Sequence, residues 1–153
     1  MKISVAVEPF DSVDARRLMA ALDAHLRSRY PPDQMFGPNL HREQVKPGFG
    51  TFVIARADGF AIGCGALRRR DTTTSEVKRM YVEPEQRGLG VAKAILEHLE
   101  AAARELGTHR LVLETGIYQA EAIGLYRRAG FRPIDCFGEY VDSPTSVCLE
   151  KAI

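Results

Sequence analysis

Four stretches in the first half of the chain have the pattern of β-strands: in the first, apolar and polar residues alternate, and the other three are strand-like runs, of which Thr51 to Arg56 is apolar and β-branched. Between the first two stretches, apolar residues recur about every 3.6 positions, which predicts an amphipathic helix. Asp11 or Ser12 can cap the start of this helix. It ends near Arg29, because Tyr30-Pro31-Pro32 follows and proline cannot donate a helical hydrogen bond. The predicted strands are Ile3 to Val7, Thr51 to Arg56, Phe60 to Arg69 and Thr74 to Val82.

Short polar turns join the last three of these strands, so we expect them to pair antiparallel. In the second half, helix and strand patterns follow one another, which predicts a crossover and locally parallel pairing. The predicted fold class is therefore α/β (α+β), with one mixed sheet. The elements of this half are helices from Gly88 to Leu106 and Ala120 to Ala129, and strands at Arg110 to Glu114, Phe131 to Pro133 and Ser146 to Lys151.

Size and charge narrow the class of protein. A length of 153 residues favours one domain over residues 1–153. With 21 basic and 20 acidic residues, the net charge of +1 gives no overall attraction to nucleic acid or to a membrane surface. No apolar run approaches the roughly 20 residues of a membrane helix. The three cysteines have no CxxC spacing and the histidines are scattered, which favours a reducing cytoplasm and no metal site.

The segment from Glu85 to Ala92 carries the sharpest chemical signal. It is a glycine-containing turn between a long strand and a long helix. Such a turn leaves backbone N–H groups unpaired at the positive end of the helix dipole, which suits a phosphate or pyrophosphate. Gly88 and Gly90 allow close approach of the anion, and Arg87 can add a charged contact. The segment lacks the Lys-Ser/Thr of a Walker loop and the third glycine of a dinucleotide motif.

The segment Arg87 to Ala92, followed along the chain by the segment Ala122 to Phe131, resembles the GNAT superfamily of acetyl-CoA-dependent N-acetyltransferases. Arg87-x-x-Gly90-x-Ala92 looks like the motif with which that family cradles the pyrophosphate of acetyl-CoA. Ala122-Ile123-Gly124-Leu125-Tyr126-Arg127-Arg128-Ala129-Gly130-Phe131 looks like its Ala-x-x-Leu-Tyr-x-x-x-Gly-Phe segment. The resemblance implies a mixed, mostly antiparallel sheet of six or seven strands, splayed between strands 4 and 5 and flanked by about four helices.

The resemblance also implies where acetyl-CoA binds. The pantetheine amides would pair with the backbone of Met80 and Val82, near a bulge that re-aims these groups. A backbone N–H of Met80 or Tyr81 would stabilise the oxyanion. Gln119 stands where the family often has asparagine, so its role is carried over only weakly. The candidate cofactor-binding residues are Met80, Tyr81, Val82, Arg87, Gly88, Leu89, Gly90, Val91, Ala92, Gln119 and Tyr126.

For catalysis, the amine needs a base and the departing thiolate needs an acid. Tyr126 matches the family tyrosine that protonates the thiolate. Glu76, at the start of the fourth strand, is the first candidate for the base, with Glu114 at the end of the fifth strand as its rival. By strict alternation Glu76 would share a strand face with Met80. The alternative for Glu76 is a strand charge paired with Lys78 or Arg68.

The acceptor pocket of this family is built from loops that are variable here. Phe36 is a candidate apolar wall, and His41, Arg42 or Arg68 could hold a carboxylate. This mixture of charges favours a small amino-acid-like amine as acceptor. A protein N-terminus or lysine as acceptor, a non-catalytic acyl-CoA sensor, and a homodimer stay open. The candidate substrate-binding residues are Tyr30, Glu114, Glu139 and Tyr140.

Overall fold

The computed structural model describes residues 2–34 and 40–153. Phe36, a candidate wall of the acceptor pocket, lies outside these residues. The strands are β1 Ile3–Val7, β2 Gly50–Ala57, β3 Phe60–Arg69, β4 Thr74–Val82, β5 Arg110–Gly116, β6 Arg132–Ile134 and β7 Ser146–Ala152. The α-helices are α1 Val13–Arg29, α2 Val91–Glu105 and α3 Ala120–Arg128.

The seven strands form one sheet in the order β1-β2-β3-β4-β5-β7-β6. All neighbouring pairs are antiparallel except β4 and β5, which are parallel as the crossover pattern predicted. That parallel pairing covers only Thr74–Val77 of β4 and Arg110–Leu113 of β5. Beyond it β4 continues beside β3 and β5 continues beside β7, so the two strands separate. The expected splay between strands 4 and 5 is confirmed.

Helix α1 begins and ends where the sequence indicates. The hydroxyl of Ser12 accepts a 3.1 Å hydrogen bond from the backbone N–H of Ala15, which makes Ser12 the N-cap. Tyr30 ends the helix in an extended conformation before the two prolines. Leu18 and Leu22 are buried on its inner face.

Helices cover both faces of the sheet. One cluster of buried residues joins α2 and α3 to β2, β3, β4, β5 and β7, and a second joins α1 to β2, β3 and β4. Gly65 of β3 allows α2 to lie close, because a Cβ there would stand 2.7 Å from Ile95 and 2.9 Å from the sulfur of Met80. This packing places α1 and the start of α2 near residues 78–82 of β4, the half of the strand that does not pair with β5.

Two expectations about helices need correction. About four flanking helices were expected, whereas the described residues contain three α-helices and four short 3-10 turns. Helix α2 begins at Val91 rather than at Gly88, because Gly88 and Gly90 adopt positive φ angles of 78° and 86° that end the preceding turn. No helix in the described part of the chain is both long and apolar enough to cross a membrane.

Candidate active site

A bulge interrupts β4 at Arg79. The β3–β4 register shifts between Cys64, opposite Tyr81, and Ala66, opposite Lys78. Arg79 has a φ of 56°, uncommon for a residue other than glycine. The prediction that Glu76 and Met80 share a strand face is therefore wrong, because the extra residue reverses the alternation. Lys78 and Glu76 face one side, whereas Met80 packs with the α2 cluster.

The guanidinium of Arg79 ties this bulge to α1. It donates to the carbonyl of Met19 at 3.1 Å and forms a 2.9 Å ion pair with Asp23. The thiol of Cys64 donates to the Arg79 carbonyl at 3.3 Å. A strained backbone position is held from both sides, as such positions require.

A cavity of about 270 Å³ opens beside the free half of β4. It lies between β4, α1 and the first turns of α3. The candidate cofactor residues Met80, Tyr81, Val82, Arg87, Ala92, Gln119 and Tyr126 line it, together with Leu22, His25, Arg29, Ala120, Glu121, Ala122 and Leu125.

The start of α2 has the properties of an anion cradle. Its N-cap is Gly90, no side chain caps the first turn, and the first turn contains no acidic residue. A Cβ built on Gly88 or Gly90 would meet nothing within 4 Å, so space is open beside the turn. The Nε of Arg87 donates to the carbonyl of Val82 at 2.9 Å, which orients its guanidinium along the cavity. Leu89 is exposed, and Val91 is buried in the core, so only its backbone can contact a ligand.

Gln119 gives an independent sign that the cavity accommodates a polar ligand. Its side-chain oxygen is buried and has no hydrogen-bond partner among the described residues. Buried acceptors are normally satisfied. A ligand amide or hydroxyl in the cavity would supply the missing donor, so Gln119 and the glycine turn both fit a pantetheine-pyrophosphate chain.

Two basic residues of α1 were not identified from the sequence. His25 and Arg29 line the cavity close to Arg87. Burial lowers the pKa of His25, and the charges of Arg29 and Arg87 act in the same direction. The guanidinium of Arg29 adds positive potential near the anion cradle, whereas the lowered pKa of His25 favours its neutral form. Only the packing of α1 on β4 brings these residues there, so no local motif could have indicated them.

Tyr126 lies at the inner end of the cavity on α3. Its ring packs edge-to-face on Phe131 with 5.7 Å between centroids, and its side chain is buried. Burial raises the pKa of Tyr126 above its usual range, and the charge of Glu114 adds to the effect. The phenol is therefore protonated at neutral pH and available as a donor.

Glu114 lies on β5, immediately after the last residue that pairs with β4. It accepts a 2.6 Å hydrogen bond from the hydroxyl of Ser146. It forms no salt bridge with any residue that the structure describes. Burial raises the pKa of Glu114, against the lowering effects of the Ser146 hydrogen bond and the Lys78 charge.

Glu76 has a different environment. Its side chain is 1% exposed, and one oxygen receives Arg68 at 2.9 Å and Arg70 at 2.6 Å. The hydroxyl of Tyr140 donates to the other oxygen at 2.9 Å. The structure therefore gives Glu76 the ion pair with Arg68 that the sequence left open as its alternative.

The other candidate residues of the acceptor pocket either surround the carboxylate of Glu76 or stabilise the neighbouring loops. Glu139 pairs with Arg68 at 2.8 Å, and Tyr140 is buried between Glu76 and Lys78. The hydroxyl of Tyr30 accepts from the backbone N–H of Tyr118 at 3.0 Å and so fixes the turn after β5.

Of the three candidate carboxylate-binding residues, His41 and Arg42 of the loop do not line the cavity, and Arg68 of β3 lies beside Glu76. Arg42 is exposed and pairs with Asp11 at 2.7 Å, and His41 is exposed beside it. Arg68 is engaged by Glu76 and Glu139. The cation closest to the splay is Lys78, which the sequence indicated only as a partner of Glu76.

A splayed sheet with an open strand edge, a phosphate cradle and a buried tyrosine defines a protein of the acyl-CoA-binding transferase class. Residues 15–131 match the sequence profile of the acetyltransferase (GNAT) family. The chain belongs to this family, as the two motifs predicted.

Individual relatives agree over nearly the whole chain. The IAA acetyltransferase of Azospirillum brasilense is 38% identical over 138 residues, covering 90% of this chain and 89% of the relative. A Klebsiella pneumoniae structure assigned as an acyl-CoA N-acyltransferase is 32% identical, with a TM-score of 0.81 and coverage of 98% and 97%.

A GNAT family acetyltransferase of Elizabethkingia anophelis with acetyl-CoA bound shares the fold, at 18% identity and a TM-score of 0.69 over 99% and 98% of the chains. The chain is accordingly an acetyl-CoA-dependent N-acetyltransferase, and acetyl-CoA is its cosubstrate.

Proposed function

We propose that this enzyme acetylates the primary amine of a small, amino-acid-like molecule, which attacks the thioester directly while both substrates are bound. The observation that carries the proposal is the position of Glu114 and Tyr126. Glu114 is half-buried and follows the last residue of β5 that pairs with β4, and Tyr126 is buried and lines the cavity beside the free half of β4. The charge of Glu114 also raises the pKa of Tyr126. A base and an acid are the groups that this reaction requires.

Glu114 is the base that the geometry favours over Glu76. Both oxygens of Glu76 are occupied by Arg68, Arg70 and Tyr140. Among the residues that the structure describes, the Glu114 side chain accepts one hydrogen bond, from Ser146 to one oxygen, which leaves the other oxygen to receive a proton. A raised pKa brings it nearer to the value that general-base catalysis favours.

In this scheme Glu114 takes one proton from the acceptor ammonium, which frees the nitrogen lone pair for attack on the thioester carbonyl. Tyr126 gives its proton to the CoA thiolate as the carbon–sulfur bond breaks. The second proton lost by the nitrogen replaces the one that Tyr126 gave. The uncapped turn from Arg87 to Ala92 would bind the pyrophosphate, and the free edge at Met80 and Val82 would bind the pantetheine amides.

The test is release of free CoA thiol from acetyl-CoA with panels of amino acids, polyamines, aminoglycosides and short peptides. Turnover with small amines supports the proposal and names the acceptor class. Turnover with peptides and with no small amine would instead indicate that the enzyme acetylates proteins. Tight acetyl-CoA binding without turnover on any panel member would instead indicate a sensor.

Two further proposals concern the setting of the enzyme. All three cysteines are free, which supports a reducing cytoplasm. A homodimer is proposed from the family resemblance, and its test is the mass of the particle in solution.

A further inference from the structure

Five charged side chains form a network next to Glu114, which we call the ion-pair cluster. Its cations reach Glu76 at 2.9, 2.6 and 3.8 Å, and two of them also reach Glu139 at 2.8 and 3.5 Å. Three cations therefore share two carboxylates, which leaves one positive charge in excess. The cluster consists of Arg68, Arg70, Lys78, Glu76 and Glu139.

The excess charge belongs to Lys78. Arg68 and Arg70 each bind both carboxylates of the cluster. The ammonium of Lys78 donates to the hydroxyl of Tyr140 at 3.1 Å, but its 3.8 Å distance to Glu76 is too long for a hydrogen bond. Its other N–H groups therefore have no acceptor among the described residues.

A buried ammonium with open donors is costly unless a ligand supplies the acceptors. The Lys78 side chain is only 7% exposed. Burial lowers the pKa of Lys78, as does the charge of Arg68, and the carboxylates of Glu76, Glu139 and Glu114 oppose this shift only in part. An anionic ligand group is the natural complement of such a cation.

The position of Lys78 in the sheet relates this cation to the reaction. The last parallel pair of β4 and β5 is Val77 with Leu113. Lys78 and Glu114 are the next residues on the two strands, so they stand together where the strands begin to separate. An acceptor whose amine meets Glu114 therefore brings its adjacent atoms to Lys78.

We propose that Lys78 binds the carboxylate of the acceptor while Glu114 binds its amine, so that the acceptor is an amino acid rather than a simple amine. This inference rests on the proposed function and specifies its substrate. Tyr140 and Glu76 act as positioning residues that hold the ammonium of Lys78 at the splay.

The charge balance of the site supports this choice. Glu114 and the ion-pair cluster together carry three positive and three negative charges. A zwitterionic acceptor keeps the buried site neutral and gives each of the two open groups an opposite charge. A monocationic amine would leave a net positive charge in the same low-dielectric region, which is unfavourable.

The experiment compares amino acids with their carboxamides, which retain the amine but lack the carboxylate. In the wild-type enzyme we expect the free acid to exceed the carboxamide by about 10- to 100-fold in kcat/KM, the range for a charged hydrogen bond. Lys78→Met should abolish this preference by lowering the rate with the acid, and Lys78→Arg should keep part of it. Lys151→Met, which removes a lysine paired with Glu100 at 3.0 Å away from the splay, is the matched control.

Calorimetric titration of the free acid into CoA-saturated protein gives a readout that does not depend on turnover. There Lys78→Met should weaken binding of the acid by a similar factor and leave binding of the carboxamide unchanged. Equal rates for acid and carboxamide in the wild type would overturn the inference and leave the proposed function standing. Equal losses for both acceptors in Lys78→Met would also overturn it. Failure of every small amine to release thiol would overturn the proposed function itself.

Discussion

Ser146 of β7 donates a 2.6 Å hydrogen bond to Glu114 of β5, and the described part of the chain gives Glu114 no salt bridge. On the adjacent strand β4, Glu76 forms ion pairs with Arg68 and Arg70, whereas Glu114 keeps an oxygen for a substrate. The carboxylate of Glu76 therefore has a structural role, and the carboxylate of Glu114 is available to react.

Replacing Glu114 with Gln should lower kcat by about 100- to 10,000-fold, since a general base is lost while the shape is kept. The wild-type kcat should fall as pH decreases through the raised pKa of Glu114, above its ordinary value of 4.5. Glu114→Gln should lack this acid limb. Steady-state pH profiles of both proteins measure it, and Glu100→Gln on α2 is the control with an unchanged profile.

Glu114→Gln should lower activity but should not lower the stability of the fold at neutral pH. Because folding raises the pKa of Glu114, the stability it contributes is present at low pH and is lost as pH rises through that pKa. Glu114→Gln should therefore melt at or above the wild-type temperature at neutral pH, with the gap closing toward pH 4.5. A lower melting temperature at neutral pH would mean that the charged form stabilises the fold.

Replacing Tyr126 with Phe should lower kcat by about 100- to 10,000-fold with a nearly unchanged KM for acetyl-CoA. Phenylalanine keeps the edge-to-face contact with Phe131, so only the hydroxyl is lost. Tyr118→Phe, on the exposed turn after β5, should leave kcat unchanged. An unchanged rate in Tyr126→Phe would remove this hydroxyl from the chemistry.

Strands and turns were predictable wherever short-range patterns decide the structure. The bounds of β3 and β4 agree with the prediction. The Asp58-Gly59 turn between β2 and β3 adopts positive φ angles of 51° and 87° that fit the predicted tight hairpin. The glycine turn before α2 could also be located, since its signal lies within a few adjacent residues.

The bulge and the charge network could not be predicted, because their causes are distant in sequence. Arg79 carries no local signal for a positive φ, and its partner Asp23 lies on α1. The sequence could not choose between the two interpretations of Glu76, because Tyr140 reaches it from 64 positions away. The ion pairs and the hydrogen bond of Glu76 decide between the two interpretations, and the local sequence pattern does not predict these contacts.

Replacing Gly90 with Leu should raise the Kd for CoA at least about tenfold, because the side chain would enter the space beside the uncapped turn. Gly107→Leu is a matched control at the other end of α2. Gly107 also has a positive φ, 81°, with nothing within 4 Å of an added Cβ. Both variants should lose similar stability, whereas only Gly90→Leu should lose CoA in calorimetric titration. Equal affinity in the two variants would contradict the pyrophosphate assignment.

Replacing Arg79 with Gly should leave the protein at least as stable as replacing it with Ala, a reversal of the usual order. Both variants lose the bonds to Asp23 and Met19, so their difference isolates the backbone. Glycine in a strand ordinarily costs about 0.5–1 kcal/mol relative to alanine, but a left-handed conformation costs a residue with a Cβ about 1–2 kcal/mol.

Urea unfolding of the two Arg79 variants measures the difference. The same pair of substitutions at Arg69, which lies at the end of β3 without a positive φ, should show the ordinary order with alanine more stable. If alanine is also the more stable residue at position 79 by the margin seen at 69, the bulge stores no strain. In that case the guanidinium contacts to α1 do not hold an unfavourable backbone, and the open edge of β4 at Met80 is set by the strand itself.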